Sequence, residues 1–183
     1  MENNKNMLIL GGYSKYNITL VKNMMEAYSK DYTVTSVEYD HWYNDKEMDV
    51  ESQLSKIKEV VGDKEIDIVV AKSIGTFLST KAIKRGTLNP KVIVFLGYPL
   101  KFLQEHNLTY IDDLLSIKDD YKILFIQQEK DPMCYADKLK KILDGRIPVI
   151  TVPGDDHSYG DVEGIKQHVD DFIKVSMGKT LKR

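Results

Sequence analysis

One cysteine in 183 residues, Cys134, leaves no partner for an internal disulfide, so the chain must hold its fold together through an apolar core. The lone thiol fits a reducing compartment. Long hydrophobic runs are missing too: none approaches the roughly 20 residues that span a bilayer. The apolar run in "MENNKNMLILGGY" is too short for a signal peptide before turn residues interrupt it, so the expected location is cytoplasmic. There is little excess of either charge. Lys and Arg number 26 against 28 Asp and Glu, a net charge of -2. That balance removes the general electrostatic case for nucleic acid or an anionic membrane as partner. The short basic tail "GKTLKR" reads as solvated. Repeats, low-complexity stretches and linkers are absent, which predicts a single domain over 1–183.

What is present is an alternation. Short apolar runs ("NMLIL", "IDIVVA", "KVIVFL", "YKILFIQQE", "PVITV") and one β-branched alternating run ("YTVTSVEYD") are separated by amphipathic segments. "NITLVKNMMEAYSK" carries Ile18, Val21, Met24, Met25 and Tyr28 at helical spacing, with Asn17 as the expected N-cap. "DVESQLSKIKEVVG" places Val50, Leu54, Ile57 and Val61 on one face and stops at Gly62. "IGTFLSTKAIKRG", "MCYADKLKKILDG" and "VEGIKQHVDDFIKVSM" read as further helices, and Leu100 to Ile117 as helical in pieces. Apolar strands flanked by amphipathic helices predict an α/β fold: a three-layer α/β/α sandwich with a mainly parallel sheet of about six strands. An uncovered edge strand offers such a sheet a route to a homodimer.

In open parallel sheets, ligands bind outside the carboxyl ends of the strands. The residues following each predicted strand are therefore the informative ones. They are Gly11, Gly12 and Tyr13; Asp40, His41 and Trp42; Ser73; Gly97, Tyr98 and Pro99; Glu129, Lys130 and Asp131; and Asp155, Asp156 and His157. Serine, acid and histidine thus fall on one edge, in that order. A serine hydroxyl attacks poorly unless a neighbouring base takes its proton, and histidine suits that task because it titrates near neutrality. A carboxylate then orients the ring and stabilises the imidazolium. Ser73 stands between Ala71 and Gly75, small residues that let strand and helix approach closely at a sharp elbow. There the N–H of Ile74 would serve as an oxyanion donor.

These motifs resemble those of the small α/β-hydrolases of the dienelactone-hydrolase-like kind. "AKSIG" is similar to the nucleophile elbow, with alanine for the first glycine. "FLGYPL" is similar to the segment after the next strand, "LFIQQEKDPMC" to the strand and loop that bear the acid, and "PGDDHSY" to the histidine loop. The resemblance implies a minimal α/β-hydrolase fold that begins directly at a central strand and has no long lid insertion. It implies Ser73 as nucleophile, Asp131 as acid and His157 as base, acting without a cofactor on a small-molecule acyl substrate, an ester or thioester. The first-strand loop reads Leu10-Gly11-Gly12 where the family has His-Gly. The second oxyanion donor therefore lies between the N–H groups of Gly12 and Tyr13. His41, Tyr98 and Pro99 are candidates for the substrate pocket.

Blander readings stand beside these. Ser73 could be an N-cap only, Asp131 a turn residue before Pro132 with Glu129 as reserve acid, and His157 a solvated loop residue. Asp155 and Asp156 read as turn formers rather than metal ligands, since no second histidine lies at ligand spacing. Cys134 reads as a packed thiol. A non-catalytic binding module on the same fold is the chief alternative function. A nucleotide or flavin site is disfavoured because "GGYSKYN" lacks the G-x-G-x-x-G spacing and "AKSIGT" lacks the length of a P-loop.

Overall fold

Two strands made of nothing but buried residues form the middle of the molecule: β3 (Ile68–Lys72, IVVAK) and β4 (Val92–Leu96, VIVFL). Runs of this kind cannot face water on either side, so helices must cover both faces of the sheet. The computed structural model describes residues 5–44 and 46–178. The basic tail read as solvated lies, from residue 179 on, outside the described residues. Around the central pair come β1 (Asn6–Leu10), β2 (Thr33–Val37), β5 (Lys122–Gln128) and β6 (Val149–Val152). The six strands are all parallel, in the order β2-β1-β3-β4-β5-β6.

The helices are α1 (Asn17–Tyr28), α2 (Val50–Val61), α3 (Ile74–Lys84), α4 (Leu100–Glu105), α5 (Ile111–Ile117), α6 (Ala136–Leu143) and α7 (Val162–Ser176). α1 packs against α7, while α3 packs against α2 and α5. The chain first steps outward from β1 to β2, then crosses back over β1 to β3 and continues to β6. That reversal puts the switch point between the carboxyl ends of β1 and β3, the place where such sheets open a crevice. The register fixes which residues share this rim. Leu10 pairs with both Val37 and Ala71, Lys72 with Leu96, Leu96 with Ile126, and Gln128 with Val152.

Two local expectations need correcting. Asn17 is not the N-cap of α1; Tyr16 holds that position, and no side chain caps the helix. Asn17 is buried instead and donates from Nδ2 to Ser14 O at 2.7 Å. α6 begins only at Ala136, because Asp131 Oδ1 accepts the Met133 N–H at 2.8 Å and holds that stretch as a turn. Its C-cap is Asp144 in the left-handed region rather than Gly145. Among the described residues, no helix is long and apolar enough to cross a membrane.

Candidate active site

Ser73 leaves β3 with φ 53° and ψ -120°, a backbone conformation that L-residues rarely adopt, and α3 starts at the next residue. Its N–H still closes the ladder onto Leu96 O at 2.9 Å, so the strand is paired up to the turn. The tight junction demands small neighbours. A Cβ at Gly75 would lie 2.7 Å from Gly11 O and 2.8 Å from Leu10 O. Although Ser73 occupies the N-cap position of α3, its hydroxyl makes no cap bond. Oγ instead lies 2.9 Å from His157 Nε2. Strain at a serine that does no capping points to a use for the hydroxyl.

Three residues that are far apart in sequence meet here. His157 Nδ1 is 2.7 and 2.8 Å from the two carboxylate oxygens of Asp131, which is 0% exposed; Ser73 is 7% exposed and His157 9%. Burial pushes the Asp131 carboxyl up, but hydrogen bonds from His157, Tyr159 and the Met133 N–H outweigh this and hold it below the ordinary range. His157 is pushed down, first by burial and then by the nearby Lys72 ammonium, against the opposing pull of Asp131. A neutral ring beside an ionised carboxylate must keep its proton on Nδ1. Nε2 then presents a lone pair to the Ser73 hydroxyl.

A buried frame supports the histidine and the acid. Gln127 Nε2 and Tyr159 Oη donate to Asp131 Oδ2 at 2.9 and 2.8 Å. Gln128 Oε1 accepts the His157 N–H at 2.9 Å, and its Nε2 donates to Asp156. His157 and Tyr159 themselves have positive φ. Gly97 passes so close that a Cβ there would lie 2.6 Å from the Tyr159 ring and 2.9 Å from His157 Cε1. Sequence reasoning missed Gln127, Gln128 and Tyr159. The available signal was a pair of amides ending an otherwise apolar buried strand, "KILFIQQ", because buried amides need partners.

Lys72 was missed as well. It is the last residue of β3 and is 7% exposed, and its Nζ makes no ion pair or hydrogen bond among the described residues. Burial brings it down to about 8, against the opposing pull of Asp131 and Asp156.

The other candidates occupy varied positions. The N–H groups of Gly12, Tyr13 and Ile74 donate to no protein acceptor among the described residues. Tyr98 and Pro99, expected in the pocket wall, are buried; the Tyr98 ring packs near Tyr110 and Phe125, and its N–H donates to Gln127. They belong to the core under the site. His41 is half-buried and stacks on Tyr13 with ring centroids 4.8 Å apart. Glu129 is exposed, and Asp156 folds back onto Ser158 as a turn former. Cys134 is buried, and burial raises its thiol to about 11. No cluster of metal-ligating side chains occurs among the described residues. A cavity of about 170 Å³ beside the β1–α1 loop is lined by Tyr13, Glu47, Met48, Val50, Phe102, His106 and Leu108.

Solved structures share this chain path at low sequence identity. An uncharacterized protein from Bacillus cereus superposes with a TM-score of 0.71 at 15% identity over 96% of this chain, which spans 62% of that protein's length. The α/β-hydrolase domain-containing protein 10 from mouse gives 0.65 at 15% identity, covering 94% of this chain and 92% of the other. The esterase domain of a Rhodothermus marinus protein gives 0.70 at 10% identity, covering 97% and 90%. The chain has the α/β-hydrolase fold. No protein-family model and no curated protein matches its sequence. In the α/β-hydrolase fold, the strand-to-helix elbow exposes its central residue at the top of the sheet, and Ser73 occupies that point here.

Proposed function

We propose that the protein is a serine hydrolase that cleaves a small ester or thioester through an acyl-enzyme intermediate. The observation that carries this reading is the continuous chain from Ser73 Oγ to His157 Nε2, and from His157 Nδ1 to a fully buried Asp131. His157 takes the hydroxyl proton as Oγ attacks the carbonyl carbon, and the C=O electron pair moves onto oxygen. The Ile74 N–H at the start of α3 and an N–H of the β1–α1 loop receive that oxyanion, with the positive end of the α3 dipole behind the first. Collapse expels the alcohol or thiol, which leaves with the proton from His157. Water then repeats the sequence on the acyl-Ser73 ester. His157 is again the base, and Ser73 recovers its proton as the acid departs. Asp131 holds the ring in the required tautomer throughout.

We take the small cavity beside Tyr13 as the acyl subsite because it borders the β1–α1 loop that supplies an oxyanion donor. Its volume of about 170 Å³ and its mixed lining, Met48, Val50, Phe102 and Leu108 beside Glu47 and His106, suit a short acyl group. The lone buried thiol suits action in the cytoplasm.

A fluorophosphonate probe and a series of p-nitrophenyl esters test this. The wild type takes the label and turns over the short esters. Ser73→Ala and His157→Ala lose both, with turnover down by about 10⁴-fold or more. A folded wild type that takes no label and turns over no ester supports the non-catalytic module instead.

A further inference from the structure

The β1–α1 loop is fixed from behind. Trp42 Nε1 donates to Gly12 O at 3.1 Å, and His41 Nε2 lies 2.9 Å from Tyr13 O. A carbonyl can only accept, so Nε2 of His41 carries the proton. Burial, which pushes His41 down, keeps the ring neutral, with Nδ1 sealed and unpaired. Both donors sit on a single 3-10 turn, Asp40–Trp42, that follows β2. In the sheet β2 lies on one side of β1, and β3 with Ser73 lies on the other.

Peptide planarity turns these bonds into directions. In a trans peptide the C=O of one residue and the N–H of the next point opposite ways, and the described residues contain no cis peptide. Gly12 O points to Trp42, on the β2 side, so the Tyr13 N–H points toward β3 and Ser73. Gly11 O faces the start of α3, where it would lie 2.7 Å from a Cβ on Gly75. The Gly12 N–H therefore points away from the elbow. The loop has little freedom to turn over. A Cβ on Gly11 would meet the Trp42 ring at 2.8 Å, and one on Gly12 would meet Asn17 Oδ1 at 2.8 Å.

We infer that Trp42 and His41 are positioning residues. Trp42, through Gly12 O, aims the Tyr13 N–H, and not that of Gly12, at the oxyanion; His41, through Tyr13 O in the following peptide, anchors the other side of Tyr13 so that the loop cannot turn. This rests on the hydrolase reading above. It gives the two side chains after β2 a role that a pocket wall does not describe: they act on the reaction through a carbonyl bond on the far side of the loop.

The test combines turnover of a p-nitrophenyl ester with a phenylboronic acid probe followed by amide NMR. The boronic acid accepts Ser73 Oγ at boron, the hydroxyl proton passes to His157, and the resulting tetrahedral boronate anion places one of its hydroxyl oxygens in the oxyanion position. In the wild type, the Tyr13 amide proton moves downfield on adduct formation and that of Gly12 stays. Trp42→Phe and His41→Leu lower kcat by about tenfold or more with KM within about twofold, and the Tyr13 response shrinks. His41→Gln, which keeps an N–H donor, recovers most of the loss, as a purely structural role would not require. Trp42 is in the core, so His41→Leu carries the test if Trp42→Phe does not fold. A Gly12 response in place of Tyr13, or an unchanged kcat in the folded variants, overturns the assignment alone. A wild type that neither turns over the ester nor binds the boronate removes the hydrolase reading, and this role with it.

Discussion

β3 ends in an aspartate pair at one side of the sheet and joins another at the opposite side, and the two pairs behave differently. At its amino end, Asp67 meets Lys91 at 2.6 Å and accepts the Asn6 N–H at 3.0 Å. Lys91 is 60% exposed there, and a second carboxylate, Glu65, stands 3.6 Å from its ammonium. At its carboxyl end, Ser73 reaches Asp131 through His157, and every donor to that carboxylate is itself fixed by the fold. Pairing lowers both aspartates, against burial. Water screens the first pair, so it contributes little to stability. The second pair is dry, so its geometry and protonation are set by the protein. Burial and the partners' own partners, rather than the residue types, separate a surface ion pair from a candidate catalytic one.

The largest effect that follows from this contrast lies at Asp131. Asp131→Asn keeps the volume but removes the charge that selects the His157 tautomer, and ester turnover falls about 10³–10⁴-fold in steady-state assays. A loss as small as that of a surface substitution would erase the distinction between the two ends.

A middle-sized effect, of opposite sign for stability, belongs to Lys72. Its folded value of about 8 lies below the ordinary 10.5, so between these limits the unfolded chain holds the proton more tightly. Stability therefore rises as pH climbs from about 8 to 10.5, and the full penalty is present below 8. Lys72→Met removes that penalty and stabilises the protein at pH 7 by roughly 1–3 kcal/mol in urea titrations, at about 1.4 kcal/mol per unit. The gain over wild type shrinks at pH 10. His157 acts with the same sign at lower pH. Its folded value is depressed below the ordinary 6.5, so below about 6.5 the unfolded chain holds the proton more tightly, and stability is lost as pH falls toward the folded value. Ester turnover has its acid limb in the same region.

The smallest effect is at the amino end. Lys91→Met leaves the midpoint of urea unfolding close to that of the wild type and turnover unchanged. A larger change there would mean that the surface pair is less screened than its exposure implies.

Much of this was legible in the sequence, because strand ends in a parallel sheet must share an edge. Six apolar or alternating runs gave the sheet, and reading only the residues that follow them brought Ser73, Asp131 and His157 together. The supporting residues were not legible. Gln127 and Tyr159 act on Asp131 from separate elements, and Gly97 matters because a ring from a loop some 60 positions on passes over it. Such contacts leave no local pattern. Asn17 misled because a good capping residue was taken into the packing of the preceding loop, and the turn held by Asp131 delayed α6 in the same way. His41 and Trp42 were noticed for their position, but their bonds to two carbonyls depend on a register that only the folded sheet sets.

Rapid quenching with p-nitrophenyl acetate at low pH, followed by peptide mass mapping, bears on the role of Ser73 without waiting for a natural substrate. The expected result is an acetyl group on Ser73 in the wild type and none in His157→Ala. An unmodified Ser73 in a folded wild type, or an acetyl group that persists on it in His157→Ala, would contradict a serine nucleophile activated by that histidine.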